Sequence, residues 1–197
     1  MSRFSRLFAG LSIAGALLVA GCATQVEKPA FPQISFAHLP QIPLDVARIE
    51  VENQYVSPAA EPNVEHRFPV SPAQSALNWG RDRLKPAGAS GVARVVVERA
   101  SVVEVPLAPT PGIRGVFTKD QSERYEGVVT VSVQLFDENG ASRAVVRSTA
   151  QRSQTVPENI SLNERDKIWF QMTEAMMATL NKTLEEQVRA HLAPWVR

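Results

Sequence analysis

The most constraining feature of this sequence is a repeat in its last third, where Ile168, Met172, Met176, Leu180, Leu184 and Val188 recur every four residues. That spacing lines them along one side of a helix, and Trp169 and Met177 widen the stripe. Ser161-Leu162-Asn163-Glu164 has the form of a capping box ahead of it and Pro194 stops it, so about seven turns of amphipathic helix are expected. A helix of that length with one apolar side needs a sheet to cover. The interval of four drifts around the helix instead of keeping a heptad, which argues against a coiled coil.

The strands for that sheet are readable upstream. Residues 47–55 alternate, with Ile49, Val51 and Tyr55 against Arg48, Glu50, Glu52 and Gln54, the pattern of a half-buried strand. Residues 57–69 hold Pro58, Pro62 and Pro69 and read as a long connection. Ser71-Pro72-Ala73-Gln74 combines an N-cap serine, proline at the first helical position and glutamine three residues after the cap, so a helix begins there and ends at Pro86 and Gly88. Residues 92–105, with Val95-Val96-Val97, read as a strand buried on parts of both faces. Residues 125–136 alternate, Tyr125, Val129, Val131, Val133 and Leu135 inward against Glu126, Thr130, Ser132 and Gln134. Asp137-Glu138-Asn139-Gly140 is a hairpin turn, and its returning strand, 141–156, is polar, which predicts a sheet with one covered and one wet face. The expected fold is α+β: a two-layer sandwich in the order β-α-β-β-β-α, a mostly antiparallel four-stranded sheet covered by two helices. The methionine stripe is read as core packing; Trp195 is read either as an interfacial anchor or as the closure of the core.

At the other end, Arg3 and Arg6 precede an apolar run over residues 7–20, and Ala20-Gly21 lead into Cys22, the one cysteine. This is the layout of a secretory signal, and at about fourteen apolar residues it is too short for a spanning helix. Val19-Ala20-Gly21-Cys22 resembles the lipobox of bacterial lipoproteins, which implies cleavage before Cys22 and a lipid on its side chain; the rival reading is an ordinary secretory signal beside a buried thiol. The chain then divides into a leader (1–21), a lipidated cysteine with a proline-rich tether (22–45), an α+β periplasmic domain (46–193) and a tail (194–197). Phe31, Ile34, Phe36 and Leu39 leave open whether the tether is free or packs along the domain. Free and fully extended, its twenty or so residues would reach at most about 70 Å.

The charges exclude some functions. With 21 basic and 20 acidic residues, scattered rather than clustered, nucleic-acid binding has no electrostatic footprint. One cysteine permits no intrachain disulfide, no C-x-x-C motif and no thiolate zinc site. His38, His66 and His191 sit in a tether, a loop and a helix end without partners at metal-ligand spacing, and no nucleophile elbow, phosphate loop or dinucleotide fingerprint is present. No metal, no cofactor and no enzymatic activity are expected. The stretch 105–120 stands apart: a long link with Pro106, Pro109, Pro111, Gly112 and Gly115, in which Arg114, Val116, Phe117 and Lys119 would form an amphipathic tip suited to a partner.

The order of elements, together with Val116-Phe117, Gln121, Tyr125-Glu126-Gly127 and the strand to Leu135, resembles two groups of envelope lipoproteins. One is the lipopolysaccharide-assembly lipoprotein that plugs an outer-membrane barrel; the other is the auxiliary lipoprotein of ABC-type lipid-transport systems. The resemblance implies a non-enzymatic, lipid-anchored component of an envelope complex handling lipid or lipopolysaccharide, with a membrane contact through its lipid and an envelope protein as partner. It implies too that Ala23, after the cysteine, permits delivery to the outer membrane, facing the periplasm. The alternative is a periplasmic shuttle or chaperone with a lipid ligand between sheet and helix.

Overall fold

The computed structural model describes residues 30–107, 121–157 and 159–197. In chain order the elements are β1 (Ile42–Leu44), β2 (Arg48–Asn53), α1 (Pro72–Arg83), β3 (Leu84–Pro86), β4 (Val92–Pro106), β5 (Gln121–Phe136), β6 (Ser142–Pro157) and α2 (Leu162–His191), with short 3-10 turns at Glu65–Arg67 and Ala193–Trp195. The class is α+β. The main sheet has the order β2-β4-β5-β6, and β1 pairs with β3 in a second, two-stranded sheet.

Two points correct the expected architecture. The sheet is mixed: β2 runs parallel to β4, Arg48 opposite Val92 through Asn53 opposite Val97, whereas β4, β5 and β6 are antiparallel. The α1 crossover between β2 and β4 is what a parallel pair requires. The first helix also ends sooner than Pro86, because Leu84 takes an extended conformation and the chain passes directly into β3. A three-residue strand carrying a proline is too short to show a period, yet Ile42 and Leu44 of β1 are fully buried.

Local signals elsewhere act as expected. The Ser71 side chain accepts the Gln74 amide, and Ser161 and Glu164 form the reciprocal capping box of α2. In the hairpin turn the Asp137 carboxylate accepts the amides of Asn139 (3.0 Å) and Ala141 (2.9 Å), and Gly140 adopts φ +78°. A bulge between Val97 and Arg99 resets the alternation of β4, so that Ala93, Val95 and Val97 and then Ala100 and Val102 all face the core.

The helices cover one face of the sheet. Met172, Met176, Met177, Leu180, Leu184 and Val188 are at most 2 % exposed, so the methionine stripe is core, and the layer between α2 and the sheet is filled by side chains. Gly127 lets them in: a Cβ there would lie 2.7 Å from the Met176 sulfur. The opposite face is wet and ion-paired, with Arg94 between Glu50 (3.0 Å) and Glu52 (3.2 Å) and Arg147 on Glu98 (2.9 Å). Where β2 stops, the loop before α1 takes over the edge of β4: Val64 N donates to Val102 O, Glu104 N to Pro62 O, and Asn63 bridges to Val103.

Residues 194–197 close against β1. Val196 bridges to Leu44, Arg197 N donates to Pro43 O, and the Arg197 guanidinium pairs with Asp45 at 2.6 Å. Of the two roles open to Trp195, the structure shows the second: it packs half-buried on the core, and its carbonyl accepts the Asp45 amide. Among the described residues no helix is long and apolar enough to cross a membrane.

Candidate interaction site

Cys22 and the loop residues Arg114, Val116, Phe117 and Lys119 lie outside the described residues. The strand ends that lead into that loop are described, and they carry an acidic cluster. Tyr125 Oη donates to Glu123 Oε2 (2.6 Å), and Arg165 approaches the same carboxylate at 3.5 Å. Burial, and then the charge of Glu123, push the Glu104 carboxyl above its ordinary range. Beneath them Trp169 stacks on Phe68 (4.9 Å) and meets Tyr125 edge-on (5.5 Å).

Between its two open arrangements, the stretch before β1 is docked. Residues 31–41 form a strap across α1 and α2. Asp82 of α1 holds it by accepting Ser35 Oγ (2.8 Å) and the Phe36 amide (2.7 Å), and Asn78 donates to Ile34 O (3.0 Å). Phe36 is buried, Ile34 and Leu39 pack against the core, and the ring of Phe31 lies 5.1 Å from that of Phe170 on α2. The proline content that suggested a spacer is compatible with docking because prolines restrict the strap beforehand and leave fewer backbone donors to satisfy.

Under the strap lies a buried arginine. Arg83, 1 % exposed, donates from Nε to Asn181 Oδ1 (3.0 Å), from Nη1 to Pro40 O and from Nη2 to Glu185. Trp79 Nε1 donates to the same Asn181 oxygen (3.0 Å). One guanidinium thus ties α1, α2 and the strap, and its planar set of donors is what lets a single side chain meet three partners. Two open grooves lie where the strap meets α2. One, of about 430 Å³, lies between Ile34, Phe36, Leu39, Phe170, Met177 and Asn181. The other, of about 480 Å³, is lined by Phe31, Phe170 and the stems of Lys167, Gln171 and Glu174. Chemically these surfaces offer apolar contact rimmed with polar groups. Among the described residues no group of three or more histidine, cysteine or carboxylate side chains is arranged to hold a metal ion.

A second buried charge sits on the β4 edge. Glu65, 6 % exposed, accepts Tyr55 Oη (2.6 Å), Ser57 Oγ (2.5 Å) and the Val102 amide (3.0 Å). Burial, the largest single influence, pushes its carboxyl up, but the bonds from Ser57, Tyr55 and Val102 together outweigh it and hold the group below its ordinary value. A depressed folded pKa means that this stability is present above the ordinary carboxylate pKa and is lost as pH falls through the folded value. Urea denaturation from pH 7 down to pH 3 is therefore expected to show Glu65→Gln less stable than the parent at neutral pH, with the gap closing in acid. A gap that stays constant with pH would remove the carboxylate's charge from the account.

No family model matches the chain, and no curated protein matches it. Among solved structures, a minor lipoprotein from Acinetobacter baumannii is similar at 14 % identity and a TM-score of 0.40, over 75 % of this chain and 94 % of that one. Rare lipoprotein B from Shewanella oneidensis is similar at 13 % identity and a TM-score of 0.30, over 71 % of this chain and 97 % of that one. Likeness at this level assigns no family.

Neither the strap's clamp nor the Glu65 site is visible in the sequence. Arg83 reads there as an ordinary basic residue in the last turn of a helix, and Asn181 and Glu185 are far away along the chain. Only the four apolar residues of the strap hinted that it docks.

Proposed function

We propose that the chain is a non-enzymatic, lipid-anchored envelope protein, an auxiliary or assembly component of a complex that handles lipid or lipopolysaccharide, on the periplasmic face of the outer membrane. The observation that carries this reading is the pairing of the lipobox-like Val19-Ala20-Gly21-Cys22 with a strap clamped to the domain from Phe31 onward. Docking changes what the anchor does. A free lead of twenty residues favours a partner at a distance, whereas only nine peptide steps separate Cys22 from Phe31, about 30 Å when fully extended. A lipid on Cys22 then keeps the domain close to its own bilayer. Several acyl chains on one residue, at about 0.8 kcal/mol per buried methylene, make such a contact lasting.

The test is Cys22→Ser with fractionation and the mass of the mature chain. The parent is expected in the membrane fraction as a chain beginning at Cys22 with added lipid mass, and the variant is expected to lose both. A parent chain with an unmodified thiol in the soluble fraction would overturn the reading.

A further inference from the structure

We propose that the free edge of β6 is a docking site for an extended, acidic segment of a partner protein, which joins the sheet as a fifth strand. The proposal deepens the reading above, because it names the surface by which such an auxiliary protein holds its partner.

The argument starts from the sheet order. β6 is an outer strand of 16 residues, about 50 Å long, and its register is made with β5 alone. No other described backbone group bonds to its outer side within the strand. The far side of the sheet is treated differently: where β2 ends, Pro62, Asn63, Val64 and the Glu65 carboxylate close the edge of β4. Unpaired edges are templates for another strand, and of the two outer strands β6 has 16 residues against the six of β2, so it is the longer template.

The charge on that edge selects the occupant. Residues 142–157 contain Arg143, Arg147 and Arg152 and no acidic residue. Arg152 is exposed and has no ion-pair partner among the described residues, and the Asp137 partner of Arg143 is 3.8 Å away. Between Arg147 and Arg152 stand the short side chains of Ser148, Thr149 and Ala150, which do not obstruct an approaching backbone, and Val145, 52 % exposed, offers an apolar contact. Proline occurs only at the end, Pro157, so the amides from Ser142 to Val156 are intact donors. A second copy is disfavoured, since β6 against β6 would bring together two strands that each carry three arginines and no acid. Alternation puts Arg143 and Arg147 on the solvent face with Val145, and Arg152, opposite Gly127, on the α2 side. An incoming strand with carboxylates on alternate residues lies beside Arg143 and Arg147, the second of which already holds Glu98, and brings the acid that the edge itself lacks.

The experiment uses the full chain purified in detergent and a labelled nine-residue peptide alternating glutamate and valine. Fluorescence anisotropy is expected to show binding that weakens with salt and falls at least tenfold for a lysine-valine peptide. A similar fall is expected for a glutamate-valine peptide N-methylated on alternate residues, which cannot donate to the ladder. Hydrogen exchange is expected to slow within residues 142–157, and Arg143→Gln with Arg147→Gln, which removes the two arginines of the solvent face, to weaken binding tenfold or more while the chain stays folded. Absence of binding, equal binding of the lysine peptide, or protection on α2 instead of β6 would overturn the proposal. So would self-association of the chain through β6, because the occupant would then be a second copy. Each of these results is independent of where Cys22→Ser fractionates, so failure here and failure of the anchoring reading are told apart.

Discussion

Replacing Trp79 with alanine is expected to lower the stability of the folded chain by about 4 kcal/mol, the usual cost of emptying a core site of this size. Trp79 has no exposed surface, and it stands on the face of α1 that meets the rest of the core. Alanine removes the ring from the junction of α1 with the sheet and α2, and rigid helices on both sides limit how far the gap can collapse. The substitution also removes the indole donor to Asn181, but that acceptor keeps Arg83. Packing therefore dominates, and Trp79→Phe, which keeps most of the volume and loses only the bond, is expected to cost about 1–2 kcal/mol. Urea denaturation of the two variants separates the contributions: equal losses would mean that the bond matters more than the volume.

Arg83→Ala is expected to cost about 3 kcal/mol, within the range for breaking a buried ion pair from one side. Glu185 is 30 % exposed at its side chain and regains water readily, so less of the loss comes from it than from Pro40 O, Asn181 and the space left by the arginine. The distinguishing sign is local. Because Pro40 belongs to the strap, hydrogen exchange at the Phe36 amide and its neighbours is expected to accelerate in Arg83→Ala more than in a variant of equal global stability elsewhere in the core. Equal acceleration in both would show that the arginine stabilises the domain without clamping the strap.

The parts of the fold that the residues reveal are those set by short-range chemistry. Ser71 and Ser161 announce helix starts because a cap acts over three residues, and Asp137 to Gly140 announce a turn for the same reason. The α2 stripe is legible because it repeats six times. What escaped depends on distant or very short partners. Val95-Val96-Val97 is apolar on both faces, so nothing local states that β2 pairs with β4 in parallel. Pro43 and Pro86 disguise β1 and β3. Asp82 becomes a receptor for the strap only through a residue 46 positions earlier, and Glu65 becomes a strand cap only beside Val102, 37 positions later. Cys22 and the loop tip lie outside the described residues, whereas the grooves beside α2 and the outer strand β6 lie within them.

The docked strap has a consequence in time as well as in space. β4, β5 and β6 join consecutive neighbours, and these local pairings close small loops. The strap, by contrast, needs partners far along the chain: Phe36 bonds Asp82, Pro40 O takes Arg83, Phe31 meets Phe170, and Leu44 next to the strap meets Val196. Its seat exists only once α1 and α2 are in place. A substitution that loosens either helix is therefore expected to loosen the strap as well, since α1 holds it through Asp82 and α2 through Phe170.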